Sequence, residues 1–211
     1  AKMITQNPDA SDVVRNNARI VMEQSERMTQ IIRQLLDFAR AGKPNKSLVD
    51  LKHLAASTLS LLRPIADKRR VTLRFEASEP VSEVVADAAQ LQQVVTNLVV
   101  NAVQASPESS AVEIGLRAAS AATKPGADAA GAHARGFVCI TITDQGTGMG
   151  EETLERVFEP FFTTKDVGEG TGLGLAVAYG IVQEHGGFIT VESKLGEGSR
   201  FEVYLPLPDP Q

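Results

Sequence analysis

Apolar residues recur along the start of the chain at alternating spacings of four and three positions. The repeat, which has one polar break, consists of Val14, Ala18, Val21, Ser25, Met28, Ile32, Leu35 and Ala39. Such a heptad repeat is typical of a helix that packs along a seam, and further apolar residues between these positions widen the stripe enough to favour a helical bundle. Gly42 and Pro44 follow in the order that usually ends a helix. We therefore predict one long helix over residues 11–40.

Shorter patterns alternate through the rest of the chain. Apolar residues spaced by two predict strands near residues 46–50, 71–75, 84–86, 112–116, 137–144, 189–191 and 201–205. Helical spacing predicts further helices at about 51–65, 88–105 and 173–185. This order, with a final hairpin, predicts an α+β protein, an α/β sandwich in which one mixed sheet is covered by helices on one face. We expect a helical region over residues 1–43 and a second domain over residues 44–211.

Polar residues mark where two of these helices begin. Asp50 is a predicted N-cap, and Asp87 with Gln90 forms a capping-box-like opening. For the helix after Asp50 we expect a buried face of Leu51, Leu54, Ala55, Thr58, Leu62 and Ile65. An Ala- and Gly-rich stretch over residues 118–136 predicts a flexible hairpin loop, and residues 145–172 are Gly-rich and predicted to be irregular.

Charge and cysteine content narrow the functional classes. The 211 residues carry a formal charge of -5, which argues against nucleic acid as the main partner. Cys139 is the one cysteine, so a disulfide framework is excluded, and its place within a strand-like run predicts a small buried hydrophobe rather than a reactive thiol. No apolar stretch reaches the roughly 20 residues of a membrane helix. We expect a cytoplasmic segment, whose parent protein could be longer and membrane-anchored.

A line of amides follows one face of the predicted helix after Asp87. Its members are Gln93, Asn97, Asn101 and Gln104. Asparagine is a mediocre helix former, so Asn97 and Asn101 in mid-helix need a reason. One reading is a solvated face. The other is a set of hard oxygen ligands for Mg²⁺.

Three glycine- or phenylalanine-rich segments follow in the chain. Asp144, at a predicted strand end, precedes Gly146, Gly148 and Gly150. A carboxylate at this position can accept a hydrogen bond from an amine, and the glycines let the backbone approach a flat ring closely. A simple turn after the strand would explain the pattern almost as well. Phe158, Phe161 and Phe162 would anchor a mobile loop that carries Lys165, a candidate contact for a terminal phosphate, or form only a satellite hydrophobic cluster. The run Gly168-Glu-Gly170-Thr-Gly172-Leu-Gly174-Leu opens a helix and is suited to cradle phosphates. It matches neither a Walker A motif nor a Rossmann fingerprint.

In this order, the four segments describe one Mg-ATP site and resemble the GHKL ATPases, in particular sensor histidine kinases of the nitrogen-regulation branch. Residues 93–106 are similar to the family's N box, 144–150 and 168–174 to its glycine boxes, and 158–165 to its F box. The resemblance implies a Bergerat-type sandwich with an ATP lid over residues 145–170. It implies catalytic roles for Asn97, Asn101 and Lys165 and metal ligation by Asn101 and Asn97. The nucleotide-binding residues that it implies are Asn97, Asn101, Asp144, Gly146, Gly148, Met149, Phe158, Lys165, Gly170, Thr171, Gly172, Leu173, Gly174 and Leu175.

Two departures bear on the expected activity. ATPases of the superfamily carry a water-activating Glu at the position of Asn97, which cannot act as a base, so phosphotransfer is favoured over hydrolysis. The phosphoacceptor motif is absent, because His53, His133 and His185 stand in other contexts. We therefore expect the acceptor to lie upstream and this chain alone not to autophosphorylate.

The resemblance also implies partners. Residues 11–40 would be the second helix of a dimerisation hairpin, with a homodimer in the parent and a response regulator receiver domain as phosphate recipient. A GHKL-type serine kinase or ATPase, or a non-enzymatic nucleotide-binding module, are the alternatives.

Overall fold

The computed structural model describes residues 11–39, 44–78, 83–120, 136–165 and 170–208. Its helices are α1 (Asp12–Ala39), α2 (Leu51–Lys68), α3 (Ala88–Ala105), α4 (Glu151–Arg156) and α5 (Gly174–Glu184). Its strands are β1 (Ser47–Val49), β2 (Thr72–Ala77), β3 (Val84–Ala86), β4 (Ala111–Ala119), β5 (Phe137–Asp144), β6 (Phe188–Lys194) and β7 (Gly198–Pro206). No helix among the described residues is long and apolar enough to cross a membrane.

The strands form one large and one small sheet. The five-stranded sheet has the order β2-β4-β5-β7-β6, in which β2 runs parallel to β4 and the other neighbours are antiparallel. Strands β1 and β3 pair antiparallel in the small sheet. The predicted α+β class with a mixed sheet is confirmed.

Helices α2, α3 and α5 cover one face of the large sheet. Residues from these helices and from the strands beneath them form a single core, in which Val99, Ile142 and Val203 are fully buried. A smaller cluster of Phe137, Cys139, Phe188 and Tyr204 lies outside this core. Burial raises the pKa of the Cys139 thiol to about 11, so this cysteine stays protonated and packs as a small hydrophobe, as predicted.

The N-cap of α3 is only half of the predicted capping box. Asp87 accepts from the N–H groups of Ala89 at 3.0 Å and Gln90 at 3.2 Å, as a cap should. The reciprocal bond from Gln90 to the Asp87 N–H is missing, because that N–H donates to Nε2 of His185 at 3.0 Å. Nδ1 of His185 in turn contacts the carbonyl of Ile181 at 2.8 Å, so the buried imidazole ties the start of α3 to the end of α5.

Two expectations about helices are corrected. In α2, Asp50 caps as predicted, but Ile65 is 46% exposed. The buried stripe runs through Leu59 and Leu62 to Ala66, which leaves Ile65 at its edge. Within the stretch predicted to be irregular, α4 forms one and a half turns, because two acidic residues in its first turn and Arg156 in its last turn complement the helix dipole.

Several other predictions lie partly outside the described residues. In α1, the seam residues Val14, Val21 and Met28 are exposed and Ala18 is buried. The predicted end of this helix at residues 40–43, most of the hairpin loop (121–135) and four lid positions (166–169) lie outside the described residues. The same holds for His133.

Candidate functional site

A cleft of about 430 Å³ opens between α3, the start of α5 and the ends of β5 and β7. This volume lies in the range of small-molecule sites. The cleft is lined by Asn97, Val100, Asn101, Ala102, Gln104, Ala105, Asp144, Thr147, Gly148, Met149, Thr153, Val157, Phe162, Thr163, Thr164, Lys165, Gly170, Thr171, Gly172, Gly174, Leu175, Ser199 and Phe201. Four predicted features therefore meet around this cleft: the amides of α3, the Asp144 carboxylate, Lys165 and the glycine-rich turn (residues 170–174).

The amides of α3 are held in specific contacts rather than left in solvent. Oδ1 of Asn101 accepts from Nζ of Lys165 at 2.9 Å, and Oε1 of Gln104 accepts from the same ammonium at 2.6 Å. Nδ2 of Asn97 donates to the carbonyl of Gly174 at 2.9 Å and so fixes α3 against the first turn of α5. The solvated-face reading does not describe these three residues.

Asp144 forms the floor of the cleft at the end of β5. The residue is 4% exposed, and its Oδ1 accepts from the Gly146 N–H at 2.8 Å. Burial raises the pKa of Asp144 above its usual value, although backbone hydrogen bonds from Gly146 and Ser199 partly oppose the shift. A carboxylate buried in this way gains from a further donor, which a ligand amine would supply.

The hairpin of β6 and β7 supports the loop after Asp144. Gly148 has φ +62°, and a Cβ there would lie 2.7 Å from the carbonyl carbon of Lys194. The N–H of Met149 donates to Oγ of Ser193 at 2.8 Å, and the N–H of Gly196 donates to the carbonyl of Thr147 at 2.7 Å. Only glycine therefore allows the loop to lie this close to the hairpin.

The phenylalanine segment (residues 158–165) and the glycine-rich turn (residues 170–174) are joined by a backbone hydrogen bond. The N–H of Phe161 donates to the carbonyl of Gly172 at 2.9 Å, and both residues have positive φ angles, +68° and +65°. The side chain of Phe161 is 64% exposed, whereas the Phe158 ring packs against the core and lies 5.1 Å from the ring of Tyr179. The guanidinium of Arg156 lies 4.4 Å from the ring centre of Phe162.

Three predicted binding residues do not line the cleft. Gly146 lies beneath the end of α3, where a Cβ would come within 2.7 Å of the Ala105 carbonyl carbon. Leu173 is 1% exposed and belongs to the interior, and Phe158 packs towards α5 as described above. These three shape the walls of the site from behind, which pattern alone does not distinguish from contact with a ligand.

Sequence reasoning missed several lining residues. Gln104 had a signal, since it ends the amide line of α3. Thr163 and Thr164 lie within the segment of residues 158–165, in which the charge of Lys165 is the more specific signal. Ser199 carried no local signal, because it reaches the cleft only through the pairing of β5 with β7, in which it lies opposite Asp144.

Comparison with known proteins identifies the family. Residues 86–209 match the family described as histidine kinase-, DNA gyrase B- and HSP90-like ATPase. Sensor kinase CckA of Brucella abortus is 36% identical over 97% of this chain, which spans 22% of that protein. The structure of full-length ShkA in complex with AMPPNP is 25% identical, with a TM-score of 0.73 over 96% of this chain and 41% of that one. The structure of histidine kinase ThkA with the response regulator TrrA is 25% identical, with a TM-score of 0.70 over 96% of this chain and 53% of that one.

The family match covers more than half of the chain and includes every segment that builds the cleft, from α3 to β7. The chain belongs to the histidine kinase-, DNA gyrase B- and HSP90-like ATPase family.

Proposed function

We propose that this chain is the ATP-binding catalytic part of a sensor histidine kinase. It would bind Mg-ATP in the cleft and direct the γ-phosphoryl group to a histidine outside the given sequence, from which a response regulator receiver domain would receive it. The observation that carries this proposal is the meeting of Asn101, Asp144, Lys165 and the Gly170–Gly174 turn around one cleft of nucleotide size.

The residues of the cleft fit a magnesium ion. Oδ1 of Asn101 and Oε1 of Gln104 already hold a cation, the ammonium of Lys165, so both amide oxygens face a position where positive charge is stabilised. Amide oxygens with remaining water ligands suit Mg²⁺. Asn101 is the proposed principal ligand. Asn97 would support it, because its Nδ2 is engaged with Gly174 while its Oδ1 remains beside the first turn of α5. Bound Mg²⁺ would neutralise charge on the phosphates.

The nucleotide would be oriented by its two ends. Asp144 accepts from the adenine amine, and the backbone N–H groups of residues 170–174, at the start of the eleven-residue helix α5, face the phosphates. On binding, Lys165 would exchange its amide partners for phosphate oxygens. Positioning and charge stabilisation are the main contributions that a protein makes to phosphoryl transfer.

The chemistry of α3 favours transfer over hydrolysis. Asn97 cannot take a proton from water, because an amide is not a base. His53 and His185 are unsuitable acceptors, because His53 lies on α2 away from the cleft lining and His185 is buried. We therefore expect this chain to bind Mg-ATP without phosphorylation of either described histidine.

The exposed seam of α1 fits the proposed role in a larger protein. Val14, Val21 and Met28 are exposed at heptad spacing, as expected of a helix that packs in a homodimeric bundle of the parent protein. Residues 1–43 would then belong to the dimerisation region and residues 44–211 to the ATP-binding domain.

Calorimetric titration with Mg-ADP and a phosphotransfer assay test this proposal. Asn101→Ala should weaken phosphotransfer to a supplied histidine hairpin of the parent kinase more than it weakens ADP binding. Gln92→Ala, on the same helix but outside the cleft and the amide line, is the matched control and should leave both unchanged. Normal phosphotransfer by Asn101→Ala, or failure of the wild-type chain to bind Mg-ADP, would contradict the proposal.

A further inference from the structure

Three polar residues form a row across the end of the large sheet. Asp144 on β5 is paired with Ser199 on β7, which is paired with Ser193 on β6. Directly paired residues project from the same face of a sheet, so the three side chains lie side by side. Asp144 and Ser199 line the cleft, and Ser193 lies behind Ser199.

The hydrogen bonds of Ser193 use its full capacity. Its hydroxyl donates to the carbonyl of Gly198 at 2.8 Å and accepts from the N–H of Met149 at 2.8 Å. The third neighbour, Oγ of Ser199, lies 3.0 Å away. A hydroxyl has one proton and two lone pairs. Because the one Ser193 proton is assigned to the Gly198 carbonyl, Ser199 is assigned as the donor in the bond between the two serines.

This arrangement determines what Ser199 offers to a ligand. Its only proton points towards Ser193, so the part of the hydroxyl that faces the cleft carries lone pairs. Beside it lies the Asp144 carboxylate, which is also an acceptor. The floor of the cleft thus presents two adjacent acceptors, which match the two hydrogens of an exocyclic amine and repel a carbonyl oxygen.

We propose that Ser193 is a positioning residue that sets the purine preference of this site, by directing the hydroxyl proton of Ser199 away from the bound base. The ligand class is a 6-amino purine nucleotide, and 6-oxo purines are rejected. This inference rests on the proposed function, since it assumes that the base lies against Asp144 and Ser199.

The test compares ADP with IDP, in which a carbonyl replaces the 6-amino group. In Ser193→Ala the hydroxyl of Ser199 is free to turn and donate to that carbonyl. We expect the ratio of the IDP to the ADP dissociation constant to fall about fivefold, the effect of one net hydrogen bond. Loss of the acceptor for Met149 should affect both nucleotides alike and leave the ratio unaffected. Ser193→Thr, which keeps the hydroxyl, should restore the wild-type ratio.

Two further variants separate positioning from a general effect on structure. Ser110→Ala removes a serine whose hydroxyl donates to the Pro107 carbonyl outside the cleft, and the ratio should not change. In a Ser199→Ala background, Ser193→Ala should no longer alter the ratio, because its effect passes through Ser199. If Ser193→Ala does not fold, Ser193→Cys takes its place and should lower the ratio, since a thiol is a weak donor and acceptor.

The outcomes distinguish this inference from the proposed function. A wild-type chain that binds neither nucleotide contradicts both. Normal ADP binding with an unchanged ratio in Ser193→Ala, or in Ser193→Cys where that variant is used, overturns the role of Ser193 alone. A ratio that falls equally in the Ser199→Ala background overturns it as well.

Discussion

Gly172 joins the glycine-rich turn to the phenylalanine segment, and its replacement by alanine tests whether that junction matters for binding. Gly172 has φ +65°, and a Cβ would lie 2.6 Å from the Phe161 carbonyl oxygen. The obstacle is backbone, which cannot rotate away as a flexible side chain can. Phe161 is itself held at φ +68° and donates its N–H to Gly172.

Two terms set the expected magnitude for Gly172→Ala. A left-handed conformation costs alanine about 1–2 kcal/mol. Relief of the overlap must separate Phe161 from residue 172 and break their 2.9 Å hydrogen bond, which contributes about 1 kcal/mol. The total of about 2–3 kcal/mol corresponds to roughly 30- to 150-fold in an equilibrium constant.

The effect should be divided between stability and binding. If the turn keeps its conformation, the free energy of unfolding falls; if the turn rearranges, Mg-ADP affinity falls because the phosphate cradle must be rebuilt on binding. Urea denaturation and calorimetry on the same variant measure the two losses, whose sum should be about 2–3 kcal/mol.

Gly180→Ala is the matched control on α5. Gly180 is exposed in the helix interior, and a Cβ there would meet nothing within 4 Å. This change should raise the free energy of unfolding by about 0.5–1 kcal/mol and leave nucleotide affinity unchanged. Wild-type stability together with wild-type affinity in Gly172→Ala would refute the reasoning.

Three further predictions concern the base, the metal position and the cap of α3. Asp144→Ala should weaken ATP about tenfold, because it leaves the adenine amine without its buried acceptor; unchanged affinity by calorimetry would contradict the assignment. Lys165→Met should lower the affinity for a non-hydrolysable ATP analogue about tenfold relative to that for ADP. Mg-ADP binding should be kept or strengthened, because the Asn101 amide is released from its hydrogen bond to Lys165. An unchanged preference between ATP analogue and ADP would argue against a contact between Lys165 and the terminal phosphate. Burial acts to raise the pKa of Asp87, but hydrogen bonds from the N–H groups of Gln90, Asn45 and Ala89 outweigh it and lower that pKa below its ordinary value. The stabilising contribution of the Asp87 carboxylate is therefore present above the ordinary pKa of an aspartate and lost as the pH falls through the lowered pKa. Asp87→Ala should reduce the free energy of unfolding by about 1 kcal/mol at neutral pH, and the difference from the wild type should shrink only in acid. A difference that does not depend on pH would show that the carboxylate charge is not involved.

Local patterns in the sequence predicted most of the fold. Alternation in β4 and β5 and the caps at Asp50 and Asp87 depend on neighbours a few residues apart, which the sequence displays directly. The expected Gln90 bond failed because a residue 98 positions away, His185, competes for the Asp87 N–H. The predicted burial of Ile65 was wrong for a similar reason, because the edge of a buried stripe is set by the residues that pack on it.

The same contrast between local patterns and tertiary contacts holds for the candidate site. Residues that belong to recognisable runs, such as Asn101, Asp144 and Gly172, were predicted and lie in the cleft. Whether a member of a run faces the ligand or the protein was not predictable, as Gly146 and Leu173 show. The contribution of Ser199 could not be predicted at all, because it depends on strand register.

Several contacts around the cleft that escaped prediction involve the hairpin of β6 and β7. It supplies Ser193 to the Met149 N–H, packs its Lys194 backbone against Gly148, and places Ser199 beside Asp144. The proposed base-binding floor is thus assembled from the neighbouring strands β5, β7 and β6, while the proposed phosphate and metal residues lie on α3, α5 and the segment between them. The floor is fixed by sheet register, and the opposite wall includes Lys165 and the Phe161–Gly172 backbone contact. Changes in the hairpin should therefore alter which base is accepted, whereas changes in the wall should alter how the phosphates and the metal are held.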